Sequence, residues 1–344
     1  MITDLPILGI SGWSGSGKTA LIEGALPLLR ERGLRVAVVK HDAHRVEVDR
    51  PGKDSDRLFK AGADVLLQGP RQEFFRVHGD RRGDLSEALR LLCRRYDLVL
   101  VEGRKTMPLP KVWLLGDGED GPPDDVPEII AALPRGEGRL DVFMNILASR
   151  LAEQWLKPPV FGCVLIGGKS RRMGTPKHLI RQDGQTWLER AAELLGQVAG
   201  EVVIAGAGLV PDALSGLVRL HDVPDAEGPM AGILAAMRWA PSASWLVAAC
   251  DLPDLTAAAL RWLLSTRGPG VWATLPKLEG SSKVEPLLAH YDFRARALLE
   301  RRAARGDFRP GGIASDGKVI SPPPPANLAS AWRNANTEAE LGTA

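Results

Sequence analysis

Short apolar segments alternate with longer amphipathic segments along the whole chain. In the first half, an apolar run at 7–12 meets a glycine-rich loop, and a stretch with helical spacing of its apolar residues follows and ends at Gly33. Further short runs, rich in valine and leucine, come at 35–41 and 97–103. Such alternation is typical of βαβ units, in which parallel strands form a central sheet between helices. The pattern therefore predicts an α/β fold.

The same pattern starts again near residue 160, where an apolar run meets a second glycine-rich loop. The dipeptide Pro158-Pro159 comes just before it, and consecutive prolines disfavour the continuation of a helix. We therefore predict a domain boundary at this point. The expected architecture is two three-layer α/β domains, one at 1–157 and the other at 160–344.

The bulk composition agrees with two ordinary globular domains. The chain has 344 residues, more than one compact core usually holds, with 44% hydrophobic and 25% charged residues. The formal net charge is +2, and each half is balanced, with 24 basic against 24 acidic side chains in 1–157 and 20 against 18 in 158–344. Because neither half is strongly basic, general nucleic-acid binding is not expected.

The cysteines and the apolar runs indicate in which cellular compartment the protein is expected. Cys93, Cys163 and Cys250 form no C-x-x-C pair, which fits a reducing compartment. Cys163 and Cys250 lie inside apolar runs, which predicts that these two thiols are buried. The N-terminus lacks a basic segment followed by a long apolar one, and no apolar run has the length of a membrane span. We therefore expect a cytoplasmic protein without membrane association.

The first glycine-rich loop, GWSGSGKT at 12–19, matches the phosphate-binding pattern G-x4-G-K-[S/T] between a strand and a helix. Its glycines let backbone N–H groups turn toward phosphate oxygens, and the helix start adds partial positive charge. The lysine of this pattern reaches the terminal phosphates, and the hydroxyl binds Mg²⁺. The candidate ligands are Gly12, Gly15, Ser16, Gly17, Lys18 and Thr19. The alternative is a glycine turn that binds nothing.

Polar side chains follow two predicted strands at what should be the same edge of the sheet. Glu102 ends one strand, where P-loop proteins place a carboxylate near Mg²⁺; a charged strand end without a ligand is the alternative. His41 and His44 lie at the end of another strand. Because no third ligand accompanies them, a polar loop is favoured over a metal site.

Four stretches of the first half together resemble one family. GWSGSGKTALI, VVKHDAH, VDRPGKDSDRLFKAGA and LVLVEGRK span most of residues 5–115 and resemble the molybdopterin-guanine dinucleotide biosynthesis adapter family of P-loop GTP-binding proteins. The resemblance implies GTP at the first loop, Mg²⁺ ligands at Thr19, Asp54 and Glu102, and a homodimer formed through this domain. It also implies assistance in the last step of molybdenum cofactor maturation.

The second loop, LIGGKSRRMGTPKHL at 165–179, matches neither the P-loop pattern nor the dinucleotide pattern G-x-G-x-x-G. Its glycines would let the backbone pass close to a nucleotide, and its cations would neutralise a triphosphate and the departing pyrophosphate. Arg172 and Lys177 are the candidates for that role, whereas Arg171 is expected to face solvent. A basic surface loop is the alternative.

This loop resembles the pattern G-G-x-S-x-R-M-G-x-x-K of the nucleotidyltransferase superfamily. LHDVPDAEGPMAGILAAM, VAACDLPDL and NANTEAEL match further stretches, so the resemblance covers about 160–342 and is nearest to the molybdenum cofactor guanylyltransferase family. It implies a Rossmann-like nucleotidyltransferase domain fused behind a P-loop NTPase-like domain. The implied substrates are GTP and molybdopterin, with Mg²⁺ as cofactor.

The second resemblance also implies roles for individual residues. The implied catalytic residues are Arg172, Lys177 and Asp251, of which Asp251 would also bind Mg²⁺; a helix cap is its alternative role. The implied substrate-binding residues are Leu165, Ile166, Gly167, Gly168 and Asp222 for the nucleotide, and Asn334 and Asn336 for the pterin.

Two sequence features favour guanine, and two positions depart from the family pattern. Gly167-Gly168 is the pair that guanylyl enzymes of this group carry, and the adapter domain in the same chain favours the same base. Pro176 stands where family members often have Asp. Ala205 and Gly206 stand where some members have Asn, which would leave base recognition to backbone groups.

Three functions are compatible with these residues. The favoured one is a guanylyltransferase fused to a GTP-binding adapter with weak GTPase activity. The alternatives are a GTP-regulated cofactor carrier without transferase activity and a nucleotidyltransferase for another phosphorylated acceptor. The basic amphipathic segment 292–305 is interpreted as a solvent-facing helix. Its alternative role is docking of an acidic partner, such as a molybdoenzyme or its chaperone.

Overall fold

The structure, a computed structural model, describes residues 4–41, 49–80, 83–167 and 176–335. Strands and helices are interspersed along both halves of the chain. The chain forms two compact units, residues 1–27 with 36–144, and residues 28–35 with 145–344. The predicted α/β fold is confirmed, whereas the boundary proposed near Pro158 stays a prediction.

A five-stranded sheet is the centre of the first half. This half of the chain has seven strands in all, which are β1 (Ile7–Gly12), β2 (Val36–Lys40), β3 (Val65–Gln68), β4 (Glu73–Arg76), β5 (Leu98–Glu102), β6 (Lys111–Leu114) and β7 (Ile129–Leu133) among the described residues. The helices are α1 (Lys18–Glu31), α2 (Asp54–Lys60), α3 (Leu85–Cys93) and α4 (Arg139–Trp155). The sheet has the order β2-β5-β1-β6-β7 with all neighbours parallel, and β3 and β4 form a separate antiparallel hairpin.

The central position of β1 explains its composition and places the first loop. All six residues of β1 are buried, as are the five of β5 beside it. A parallel strand covered on both faces is apolar along its whole length instead of alternating. Because β1 ends at Gly12, the glycine-rich loop begins at the carboxyl edge of the sheet, next to the end of β5.

A seven-stranded sheet is the centre of the second half. The strands of this half, two of which lie outside the sheet, are β8 (Val160–Leu165), β9 (Arg181–Gln182), β10 (Gln185–Thr186), β11 (Glu201–Ala205), β12 (Val218–Leu220), β13 (Ser244–Ala249), β14 (Ala273–Thr274), β15 (Leu288–Tyr291) and β16 (Val319–Ile320). The helices are α5 (Trp187–Gly196), α6 (Pro229–Trp239), α7 (Ala257–Ser265) and α8 (Ala295–Ala303). The order is β12-β11-β8-β13-β15-β14-β16, and β9 and β10 form a separate hairpin.

One strand of this sheet runs against its neighbours. β15 is antiparallel to both β13 and β14, whereas β8, β11, β12 and β13 are parallel to one another. The start of β15 therefore lies beside the carboxyl end of β13. Polar residues before β15 consequently share a sheet edge with those after β8, β11, β12 and β13.

Other sequence expectations concern burial. Cys163 and Cys250 are buried, as predicted, and Cys93 is buried too. Burial raises the pKa of Cys163 and of Cys250 to about 12. In the described parts of the chain, every helix is either too short or too polar to cross a lipid bilayer. The helix α8 buries Leu298 and Leu299; of its arginines Arg301 is exposed, whereas Arg296 and Arg302 are half-buried. Arg294, just before the helix, is buried, so the interpretation of 292–305 as a solvent-facing helix stays a prediction.

A buried histidine makes this core sensitive to pH. His290, in β15, is 1% exposed, and neither ring nitrogen has a hydrogen-bond partner among the described residues. Burial, with a smaller effect of the Arg267 charge, lowers the pKa of His290 from 6.5 to about 3. In the unfolded chain His290 gains its proton near pH 6.5, so the unfolded state binds more protons between these values. The free energy of unfolding therefore decreases as the pH falls below about 7.

We predict that replacing His290 by Leu removes this dependence. For the wild-type chain, His290 alone should lower the free energy of unfolding by about 2 kcal/mol between pH 7 and pH 5. Urea unfolding of the full chain at both pH values measures the difference, which should shrink by about that amount in H290L. His221→Leu removes an exposed histidine and serves as the control. Equal pH dependence in H290L and the wild type would contradict the prediction.

Candidate nucleotide-binding and active sites

The first loop has a backbone conformation that requires glycine. Gly12, Gly15 and Gly17 have φ values of 149°, 78° and 91°. A side chain at Gly12 would place its Cβ 2.6 Å from the Leu114 carbonyl oxygen and from Ser16 Oγ. The loop therefore packs against the end of β6 before it enters α1 at Lys18.

Four polar side chains of this loop and the nearby strand ends come together. Lys18, Thr19 and Glu102 were named as site residues from the sequence, and Lys40 was not. Lys18 Nζ donates to the carbonyls of Gly12 (3.2 Å) and Trp13 (2.6 Å). Thr19 Oγ1 donates to Glu102 Oε1 at 2.9 Å, and Lys40 Nζ lies 3.9 Å from the same oxygen. Partial burial lowers the pKa of Lys18, while the negative charge of Glu102 opposes that shift. The arrangement offers a hydroxyl and a carboxylate to a hard cation and two ammonium groups to phosphates.

Arg139 braces this loop, and the sequence analysis missed it. At the start of α4, its guanidinium donates to the carbonyls of Ser16 (2.7 Å), Leu115 (2.7 Å) and Pro134 (2.6 Å). Burial lowers the pKa of Arg139, and the neighbouring Arg135 adds to the effect. No local spacing reveals this role, because Arg139 and Ser16 are 123 positions apart.

Asp54 is not brought to this cluster by any described contact. Its side chain is 94% exposed and lies 3.6 Å from Arg57 in α2. The buried acid of α2 is Asp56, which accepts hydrogen bonds from Lys60 and Arg76. The assignment of Asp54 as a Mg²⁺ ligand stays a prediction.

The second site is built around a lysine and an aspartate. Lys177 Nζ donates to Asp251 Oδ2 at 3.0 Å, and both side chains are about one-fifth exposed, at 19% and 24%. Asp251 follows β13, and the amide of Cys250 donates to the Leu165 carbonyl at 3.2 Å. Asp251 therefore leaves the sheet beside the end of β8, where the second loop begins.

The backbone turns sharply after β8. Leu165 and Ile166 are buried, and Gly167 has a φ of 107°. The Ile166 amide donates to the Ala205 carbonyl at 2.8 Å, and a side chain at Gly206 would overlap the Ile166 carbonyl oxygen. The ends of β8 and β11 are thus held in backbone contact. Gly168 and Arg172 lie outside the described residues.

Asp222 borders the same strand ends. It follows β12, and its Oδ1 lies 3.5 Å from the position of a Cβ built on Gly232, which also faces Leu165 and Ala205. Partial burial raises the pKa of Asp222, whereas the charge of His221 opposes this. The position is compatible with the predicted contact to a nucleoside.

The chain returns to this site near its last described residues. The Ala335 amide donates to the Asp251 carbonyl at 3.1 Å. Asn334, the residue before Ala335, is exposed and its backbone therefore lies close to Asp251. Asn336 lies outside the described residues. The pterin contacts assigned to both asparagines stay predictions.

His178 supports Lys177 and was also missed by the sequence analysis. It is 3% exposed, and its Nε2 lies 2.9 Å from the Leu209 carbonyl. Burial lowers the pKa of His178, whereas its hydrogen bond to the Leu209 carbonyl opposes this shift. A Cβ on Gly208 would lie 2.8 Å from its Cε1, which shows how closely the ring fits. His178 thereby holds the short turn Lys177–Leu179 in place.

The donor sets of both sites suit a hard cation that keeps most of its ligands from water or phosphate. Among the described residues, no three or more His, Cys, Asp or Glu side chains gather around one point. Mg²⁺ commonly takes one or two carboxylates from the protein and its other ligands from phosphates and water. The Thr19–Glu102 pair and the Asp251 carboxylate are oxygen donors of that kind.

The two halves together define a P-loop protein joined to a nucleotide-binding α/β domain. Residues 7–133 match the family model "Molybdopterin guanine dinucleotide synthesis protein B", and residues 162–311 match the "MobA-like NTP transferase domain".

Three relatives illustrate this division. The molybdopterin-guanine dinucleotide biosynthesis adapter protein of Haemophilus influenzae is 38% identical over 39% of this chain and 76% of its own length. A probable molybdenum cofactor guanylyltransferase of Opitutus terrae is 35% identical over 42% of this chain and 73% of its own length. A molybdenum cofactor biosynthesis bifunctional protein of Synechocystis is 35% identical over 48% of each chain.

The chain therefore belongs to both families, with its first half in the adapter family and its second half in the molybdenum cofactor guanylyltransferase family. Both resemblances drawn from the sequence are confirmed, and so is their fusion. The second half is a nucleotidyltransferase domain. The roles of individual site residues stay predictions.

We predict that Arg139→Lys weakens nucleotide binding at the first loop about tenfold, because one ammonium group cannot replace three guanidinium hydrogen bonds. Calorimetric titration of the full chain with a non-hydrolysable GTP analogue measures the effect. Lys18→Ala identifies the part of the signal that belongs to the first loop.

The matched control for this prediction is Arg135→Lys. Arg135 is 53% exposed and pairs with Asp117, four residues before the brace. Binding that is as tight in R139K as in R135K would contradict the bracing role.

Proposed function

We propose that the second half transfers GMP from GTP to the terminal phosphate of the molybdopterin-bound molybdenum cofactor, forming molybdopterin guanine dinucleotide and pyrophosphate. The first half binds GTP at its P-loop and assists maturation or delivery of the cofactor. The observation that carries the proposal is the Lys177–Asp251 pair at the carboxyl edge of the sheet, beside the turn after β8.

The position of the nucleotide follows from the strand ends. Ligands of open α/β sheets bind outside the carboxyl ends of the strands. Here the turn at Gly167 lies beside the residues that follow β11, and Asp222, which follows β12, borders the same strand ends. The nucleoside of GTP would occupy this side, and its phosphates would extend toward Lys177.

The chemistry requires little beyond positioning and charge. A phosphate oxygen of the acceptor attacks the α-phosphorus, the bond from that phosphorus to the bridging oxygen of the β-phosphate breaks, and pyrophosphate leaves with the bonding electrons. The attacking oxygen is already anionic, so no strong general base is needed. Lys177 would stabilise the negative charge that develops on the leaving side.

Asp251 would hold Mg²⁺ at this site, and Thr19 with Glu102, and with Asp54 in the assignment from resemblance, would do so at the first loop. When bound, Mg²⁺ supplies positive charge that offsets the phosphate oxygens. Arg172 is assigned to the same leaving side as Lys177. Asn334 and Asn336 are assigned to the border of the pterin.

The first half would act on its own nucleotide. Lys18 now donates to two loop carbonyls, and it would turn to the terminal phosphates when GTP is present. We include a weak GTPase activity, a homodimer through this half and delivery to molybdoenzymes or their chaperones in the proposal, on the strength of the family resemblance.

We predict that Asp251→Asn lowers the rate of pyrophosphate release from GTP and molybdopterin at least a hundredfold, because the neutral amide binds Mg²⁺ weakly and leaves Lys177 without its ion-pair partner. Binding at the first loop should not change. The assay follows pyrophosphate release by the full chain with each nucleoside triphosphate.

The matched control is Asp254→Asn, three residues further along, where the carboxylate accepts a hydrogen bond from Arg333 at 2.6 Å. Unchanged turnover in D251N would reject the catalytic assignment. Turnover of the wild type with a sugar phosphate but not with molybdopterin would show that the acceptor is a sugar phosphate.

A further inference from the structure

Glu285 is a partly buried carboxylate that no described side chain pairs with. It lies just before β15, where its own amide donates to the Pro276 carbonyl at 2.7 Å. Lys283, two residues away, is exposed and does not contact it. Burial raises the pKa of Glu285, because removal of water disfavours its charged form. Burying a carboxylate without a partner is unfavourable for folding, which indicates a role in binding.

The strand pairing places Glu285 at the edge that carries the transferase site. β13 and β15 pair antiparallel with Ala248 opposite Leu288, and the Ala249 amide donates to the Leu287 carbonyl at 2.7 Å. Asp251 follows Ala249 by two residues, and Glu285 precedes Leu287 by two. Both carboxylates therefore leave the same edge of the sheet on adjacent strands.

The strand order puts Glu285 on the far side of Asp251 from the nucleoside. In the order β12-β11-β8-β13-β15, the strand ends that border Asp222 lie on one side of β13, and β15 lies on the other. A molecule beside Glu285 would therefore approach the metal and phosphate region from the side opposite to GTP. In an in-line transfer that side belongs to the acceptor.

A carboxylate in this setting recognises adjacent N–H donors. Its two oxygens can accept from two donors at once, and such hydrogen bonds are strong when the carboxylate is shielded from water. A 2-amino-4-oxopyrimidine ring presents one amino group beside one ring N–H. Guanine and pterin both contain this ring, so the chemistry alone does not decide which of the two Glu285 would bind.

We propose that Glu285 accepts the two N–H donors of the pterin of the acceptor, and so determines which phosphorylated compound receives GMP. This proposal rests on the GMP transfer proposed above. The placement of β15 beyond Asp251 favours the pterin over the guanine of GTP. Glu285 is thus a specificity residue for the acceptor.

The test is Glu285→Gln in the full chain, which keeps the size of the side chain but sets an amide N–H₂ against the pterin donors. We expect the KM for molybdopterin to rise at least tenfold, equivalent to about 1.4 kcal/mol, with the KM for GTP unchanged within twofold. The dissociation constant for molybdopterin, followed by pterin fluorescence without turnover, should rise equally.

Two controls separate recognition from a structural effect. Glu279→Gln changes an exposed carboxylate of the same loop and should leave both KM values unchanged. The thermal midpoint of E285Q should equal or exceed that of the wild type, because the variant removes a buried charge without a described partner. A lower midpoint together with equal losses in both KM values would show a structural role and overturn the proposal.

The remaining outcomes are also distinguishable. If E285Q raises the KM for GTP and loses the preference for GTP over inosine triphosphate, which lacks the 2-amino group, Glu285 reads guanine and the acceptor assignment is wrong. If the wild type transfers no GMP, the proposed function fails, whereas the fluorescence titration still decides whether Glu285 binds the pterin. Equal dissociation constants for E285Q and the wild type would overturn the inference.

Discussion

One backbone hydrogen bond sets the geometry of the transferase site, the bond from the Cys250 amide to the Leu165 carbonyl. It continues the parallel pairing of β8 and β13 just beyond the last strand residues. The turn after β8 and the chain segment that carries Asp251 therefore leave the sheet side by side. They cannot separate without breaking the centre of the sheet, where both strands are almost completely buried. The meeting of a cation and a carboxylate at this edge is thus a property of the core.

The first glycine-rich loop and the short turn Lys177–Leu179 are each held by side-chain hydrogen bonds to backbone carbonyls. Glycine has the largest conformational freedom of any residue, so a loop rich in it loses much entropy when it is ordered. Arg139 offsets this loss at the first loop through three carbonyls, and His178 anchors the turn that carries Lys177 to the Leu209 carbonyl. In each case the side chain donates to backbone carbonyl groups and not to another side chain.

The sequence predicted the parts of the molecule that follow from local pattern. The alternating apolar runs predicted the α/β sheets, and the pattern of the first loop predicted that Thr19 and Glu102 would meet. Arg139 and Glu285 were missed because their positions depend on chain reversals and on pairing between distant segments. The antiparallel direction of β15 is one such reversal, since a short apolar run has the same composition in either direction. Asp54 shows the opposite difficulty. The family resemblance assigned it to Mg²⁺, but in the helix α2 its side chain is exposed to solvent.

The two lysines at the phosphate sites share a further property, which bears on the order of binding under the proposed function. Lys18 donates to loop carbonyls and Lys177 to Asp251, so both ammonium groups already have hydrogen-bond partners that a phosphate would have to replace. Lys18 gives up only neutral acceptors when a phosphate arrives, and an anionic acceptor is the stronger one. Lys177 would leave behind a partly buried carboxylate, which is unfavourable unless another cation replaces it. Under the proposed function, the transferase site would therefore discriminate against a nucleotide without its metal, whereas the first loop would have no such requirement at its lysine.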